Sequence, residues 1–95
     1  MALLKTKSET RSLSDLRSVG QATVEDLRRL GITSVGQLKG RSAKKLYDKI
    51  CRITGMKHDI CVLDVFQCAI AQAENPDLPA VQRDWFYWSK VRKRA

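Results

Sequence analysis

Prolines and glycines are scarce in this 95-residue chain: two of the first and five of the second. So few breaks leave little room for the tight turns that a sheet of many short strands needs. Strict alternation of apolar and polar residues is also hard to find, while helix formers dominate. An all-α fold is therefore expected. No apolar run approaches the roughly 20 residues needed to cross a bilayer, which argues against a membrane partner. The opening MALLKTKSETRS has only three apolar residues after Met1, too few for the apolar core of a secretion signal. Cysteine is limited to Cys51, Cys61 and Cys68. An odd number without an export signal points to reduced thiols and a cytoplasmic protein. The length suits one small domain with a modest core.

Positive charge is what the chain has in excess. Eighteen Lys and Arg against ten Asp and Glu give a net charge of +8. Lys39 to Lys57 holds seven basic residues against Asp48 alone, whereas His58 to Ser89 has Arg83 against five carboxylates. Lys90, Arg92, Lys93 and Arg94 close the chain. A basic stretch beside an acidic one suggests a surface that faces a polyanion.

About five helices are expected along the chain. Residues 1–11 are polar and aperiodic and read as a flexible tail. Ser12 or Ser14 can cap a short helix through about Arg17. Val24, Leu27 and Leu30 lie at helical spacing in a second helix, Ala22 to Leu30. Gly31 stops it where a left-handed residue is cheapest, and Ile32 can fold back onto it. Thr33 or Ser34 then caps a short helix carrying Val35 and Leu38, ended by Gly40. Ser42 caps a helix to about Ile53, with Leu46, Tyr47, Ile50 and Ile53 facing inward. Asp59 to Glu74 is apolar almost all round, with a narrow polar stripe of Asp64, Gln67 and Glu74, and belongs in the middle of the domain. Asn75–Pro79 breaks the chain before a last helix with Val81, Trp85, Trp88 and Arg92 on one face. The domain is thus expected over 12–90, followed by a basic tail at 91–95.

The tetrapeptide Ser-Val-Gly-Gln occurs at 18–21 and again at 34–37. The second copy opens a helix, with Ser34 as its cap. The first lies between two short helices, where Gly20 lets other atoms come close to the backbone. Leu16-x-x-Val19-Gly20-x-x-x-Val24-x-x-Leu27-x-x-x-Gly31-Ile32 resembles a helix-hairpin-helix motif. That resemblance implies that amides opening the second helix bind a nucleic-acid phosphate, since such amides are unsatisfied donors with partial positive charge. Gly20, Ala22 and Thr23 would supply the amides, with Gln21 beside them and the Thr23 hydroxyl in addition. The family's first hairpin glycine is Ser18 in this chain, and its frequent proline is Arg17, a cation suited to phosphate. If the turn is left-handed, Ser18 costs about 1 kcal/mol or slightly more.

The similarity extends beyond the hairpin. Gly31–Leu38 followed by Ser42-x-x-x-Leu46 resembles the carboxy-terminal domain of the bacterial RNA polymerase α subunit, and that of a bacterial competence regulator. Leu46-Tyr47, Asp59-x-Cys61-Val62-Leu63-x-Val65-Phe66-x-Cys68-Ala69 and Trp85-x-x-Trp88 resemble a family of small bacterial helix-hairpin-helix proteins named for a pathogenicity locus. Some of its members are called mitomycin resistance proteins. The resemblance covers roughly residues 13–90 and implies a fold more than an activity.

Two further constellations have bland and sharp readings. Cys51, His58, Cys61 and Cys68 have the composition of a zinc site. Yet Cys61 and Cys68 lie roughly 10 Å apart along one helix, too far for thiolates each about 2.3 Å from one metal. Core packing is the expectation, with no metal and no cofactor. His58 and Cys61 at i, i+3 lack an orienting group or oxyanion donor, so no enzyme is expected. Trp85 and Trp88 close the core with Val81, or else offer a base-stacking platform beside Lys90–Arg94. Lys45, Lys49 and Arg52 form a stripe opposite Leu46 and Ile50, either solvated or facing phosphate. The composite expectation is sequence-independent binding of double-stranded DNA, accessory to repair or uptake, through Arg17, Ser18, Gly20–Thr23, Lys45, Lys49 and Arg52. RNA is a second candidate partner. The alternative is a protein-interaction adaptor whose hairpin no longer contacts DNA.

Overall fold

Gly31, with φ of 83°, ends the first α-helix as its sequence requires. The Ile32 amide reaches back to the Leu27 carbonyl at 2.8 Å and the Gly31 amide to that of Arg28 at 2.9 Å. This paired closure satisfies carbonyls that the helix end would orphan. Ile32 is thereby delivered into the core with no exposure at all. The computed structural model in which this is seen describes residues 9–94.

Among the described residues four α-helices follow one another: α1 Gln21–Arg29, α2 Ala43–Thr54, α3 Cys61–Glu74 and α4 Trp85–Arg94. Three 3₁₀ turns accompany them there: Leu13–Asp15 ahead of α1, Val35–Leu38 between α1 and α2, and Ala80–Arg83 between α3 and α4. No strand occurs among the described residues, so the chain is all-helical. Two of the short helices expected from sequence are single 3₁₀ turns. At the first, the Ser12 amide and hydroxyl both donate to Asp15 Oδ2, at 2.8 and 3.0 Å. Such local bonds close one turn and compete with helix propagation. The expected tail over residues 1–11 lies outside the described residues up to Ser8. Arg11 is docked, its Nη1 donating to the Gln72 carbonyl at 3.0 Å.

The helix that is apolar nearly all round sits in the middle. α3 packs against both α2 and α4, and Phe66, Cys68, Ala69 and Ala73 are wholly buried. Leu46, Tyr47 and Ile50 of α2 join them in one core with Leu27, Ile32, Val35 and Leu38. α2 opens on Ser42, whose hydroxyl accepts from the Lys45 amide at 3.3 Å. It ends at Gly55, a left-handed cap with φ of 70°.

Several inward assignments change. Ile53 is 49% exposed, because it lies in the last turn of α2, where Gly55 bends the chain away. Val81 is 64% exposed: it belongs to the 3₁₀ turn, off the face of α4 on which the sequence places it. Trp85 and Trp88 are half-buried. The Trp88 indole donates to the Gln82 carbonyl at 2.7 Å, and Trp85 stacks on the exposed Phe86 at 4.1 Å. Asp64, expected on a solvent stripe, is 1% exposed. Arg92 grips both of its oxygens, Nε at 2.7 Å and Nη2 at 2.9 Å. α4 therefore carries Val91 and Arg92 into the domain and runs to Arg94, where a basic tail was expected.

Candidate nucleic-acid interface

The segment that precedes α1 turns at Ser18. Its φ of 71° makes it the one non-glycine residue with left-handed backbone among those described. Serine in that region costs about 1 kcal/mol. Its side chain offsets the cost: the hydroxyl donates to the Arg83 carbonyl at 3.1 Å and accepts from the Trp85 amide at 3.1 Å. One hydroxyl thus fastens this segment to the turn before α4 and satisfies an orphan donor at the start of that helix. Ser18 acts here as a tether, with its hydroxyl turned inward to the protein.

Gln72 supplies the second anchor. Its side-chain oxygen accepts from the Arg17 amide at 2.9 Å, and its nitrogen donates to the Arg17 carbonyl at 2.8 Å. A buried glutamine on α3 therefore holds both backbone groups of Arg17. The Arg17 side chain is exposed and forms no ion pair among the described residues. Arg11, on the same glutamine's carbonyl, is offset by Glu9 at 2.7 Å. That bonding to the guanidinium holds the Glu9 carboxyl down to about 2.

Past Ser18, Val19 points into the core and Gly20 becomes the N-cap of α1. Gly20 is extended, with φ of −97° and ψ of −175°, so its backbone alone does not demand glycine. A Cβ built there would meet nothing within 4 Å. What the missing side chain leaves is open approach. No side chain caps this helix, and its first internal bond is Val24 to Gly20 at 3.0 Å. The amides of Gln21, Ala22 and Thr23 have no acceptor among the described residues. Gln21 and Ala22 are exposed and Thr23 is half-buried. Three unsatisfied donors and a helix dipole can together hold an oxyanion.

The second Ser-Val-Gly-Gln does different work. Ser34 is extended at φ of −140°, and the Gln37 side chain turns back to accept from the Thr33 and Ser34 amides at 2.6 and 3.1 Å.

Lys45, Lys49 and Arg52 are exposed along one side of α2. The neighbouring Lys44 pairs with Asp48 at 2.8 Å. No hydrogen bond or ion pair joins this stripe to residues 17–23 among the described residues, so the sequence-expected residues form two separate features. The cysteines serve packing and backbone contacts. Cys51 accepts from the His58 amide at 3.4 Å. Burial pushes the Cys68 thiol up to about 11, and burial likewise raises that of Cys61. Tyr47 donates its hydroxyl to the His58 carbonyl, tying the α2–α3 connection to the core.

Gln72 was missed by sequence reasoning. Its signal is a lone amide between Ala71 and Ala73 on the buried helix, a place where a polar group persists only with partners.

The family model described as "Pathogenicity locus" matches residues 6–94 of this chain. The "Mitomycin resistance protein McrB" of Streptomyces lavendulae is 36% identical over 89 residues, which cover 94% of this chain and 81% of that protein. No solved structure gives a significant match.

Proposed function

The chain belongs to the pathogenicity locus family, and from that premise we propose that it binds double-stranded DNA through the phosphate backbone, without reading sequence. The contact is a helix-hairpin-helix hairpin formed by Arg17–Thr23. The observation that carries this reading is the set of unpartnered Gln21, Ala22 and Thr23 amides opening onto free space over Gly20. Arg17 adds a cation, and the net charge of +8 favours approach to any polyanion. Lys45, Lys49 and Arg52 provide a second basic surface for the same backbone. Amides and guanidinium address phosphate, which carries no sequence information. The protein acts in this reading by binding alone, with no catalytic group of its own. The name of the Streptomyces lavendulae relative, a mitomycin resistance protein, fits the accessory part in DNA repair that we infer.

Gly20→Val tests the assignment cleanly. Extended backbone accepts valine, and the added side chain meets no protein atom. The variant is expected to fold normally by circular dichroism and thermal melting. It should lose at least tenfold in affinity for two duplexes of unrelated sequence, and by the same factor on each. Unchanged binding by the folded variant removes the hairpin as the phosphate site.

One observation favours a second reading, that of a protein-interaction adaptor. Ile53, Met56 and Ile60 are all exposed large apolar residues within one short stretch, and such residues mark interaction surfaces when they form a patch. Parent protein that fails to bind duplex DNA or RNA at low salt moves the assignment there.

A further inference from the structure

A cleft of about 630 Å³ opens between the start of α2, the first half of α3 and the last turns of α4. Its volume falls in the range of about 300–1,000 Å³ typical of small-molecule sites, which in helical proteins lie between helices. Ile60, Leu63, Trp88 and Val91 line it, and Asp64 with Arg92 contribute its charged part.

The polar part of the cleft decides what fits. Asp64 is 1% exposed, and Arg92 occupies both of its oxygens at 2.7 and 2.9 Å. Its negative charge is therefore already answered. Arg92 is only partly covered, its side chain 32% exposed, and its Nη1 donates to nothing among the described residues. Lys44 stands at the edge, its ammonium paired with Asp48 at 2.8 Å. What is left for an occupant is the free donor edge of Arg92, set against apolar walls that include an indole. A buried ion pair is poor value as a stability device, since apolar residues of similar volume do as well. As a fixed guanidinium it can present a planar fork to a carboxylate.

The geometry points to this cleft as the binding site of an amphipathic small molecule, an apolar ring or chain carrying one carboxylate, with the carboxylate on the outer edge of Arg92 and the apolar body against Leu63, Trp88 and Val91. The cleft shares no residue with the hairpin, so this assignment stands apart from the DNA reading.

The test uses 1-naphthoate as probe, titrated into the whole chain and followed by NMR of the methyl and indole groups. Saturable shifts are expected at Ile60, Leu63, Val91 and Trp88. 1-Naphthalenemethanol, which has the same rings without the charge, should bind at least tenfold more weakly. Val91→Trp fills the cleft from its wall and should lower 1-naphthoate affinity at least tenfold while duplex DNA binding stays at the parent value. Arg92→Lys keeps a charge opposite Asp64 but removes the fork, and should erase most of the preference for the acid. The assignment is overturned by no shift at millimolar probe, by shifts confined to other surfaces, or by equal binding of acid and alcohol. It is also overturned if sedimentation shows that the free protein pairs with itself through Leu63 and Val91.

Discussion

Ser18 shows how a residue other than glycine can hold a left-handed turn. Glycine fills a left-handed turn without steric cost; serine fills it here and adds two bonds to the segment before α4. Ser18→Ala keeps the backbone cost and loses both bonds, so urea unfolding should show a loss of about 1–3 kcal/mol. Ser18→Gly loses the same bonds but recovers about 1 kcal/mol of the backbone cost, and should be the milder change. The opposite order contradicts the tether. Cys68 gives a second residue-level test. Its thiol is raised by burial from 9.0 to about 11. Between those values the unfolded chain has lost the proton and the folded chain keeps it, so stability falls as pH rises. Below 9 this group contributes no slope. Cys68→Ala should therefore unfold with a shallower pH dependence between 9 and 11, by up to about 1.4 kcal/mol per pH unit. Equal slopes in parent and variant contradict it. Neither effect could be read fully from sequence. The departure at Ser18 is visible there, but the partners of its hydroxyl lie at Arg83 and Trp85, brought near only by the fold.

The elements that declared themselves in sequence are those whose signals are local. Gly31-Ile32 ends α1 through bonds to the turn just before it, and Ser42 caps α2 three residues ahead. The apolar surround of residues 61–73 placed α3 centrally for the same reason: its own composition requires cover. Where length and face depend on a distant partner, the pattern was silent or misleading. Short helices and 3₁₀ turns share the same caps, so the elements near Ser12 and Ser34 looked longer than they are. Asp64 looked solvated because its partner, Arg92, comes 28 residues later on another helix. This α3–α4 link yields a prediction. Arg92→Met leaves a buried carboxylate unpaired and should cost about 3–5 kcal/mol, whereas Asp64→Leu with Arg92→Met should restore most of that loss. Denaturant melts of the two variants decide it. A double variant no better than the single contradicts the account of the pair.

At the scale of the whole molecule, anchors from two distant elements converge on the segment before α1. Gln72 holds Arg17 by its backbone, Ser18 is tied to the start of α4, and the amides of α1 stand open beyond them. Gln72→Leu should therefore weaken duplex binding although its side chain is buried, because the hairpin loses its support. Anisotropy titrations check this beside a melting curve. The start and end of α1 could be read in the sequence, whereas the attachment of the segment before it could not, since that depends on a glutamine 55 residues away. Binding by the parent should fall steeply with salt, and Arg17→Ala should flatten the slope of log affinity against log salt by about 0.9. A slope unchanged in the variant removes Arg17 from the contact. The most direct measurement is an amide NMR titration of the parent with two short duplexes of unrelated sequence. The account predicts that the Gly20, Gln21, Ala22 and Thr23 amides shift first and furthest, in the same pattern with both duplexes. Shifts centred on Ile53–Ile60 that leave those four amides in place, or different patterns with the two duplexes, would contradict it.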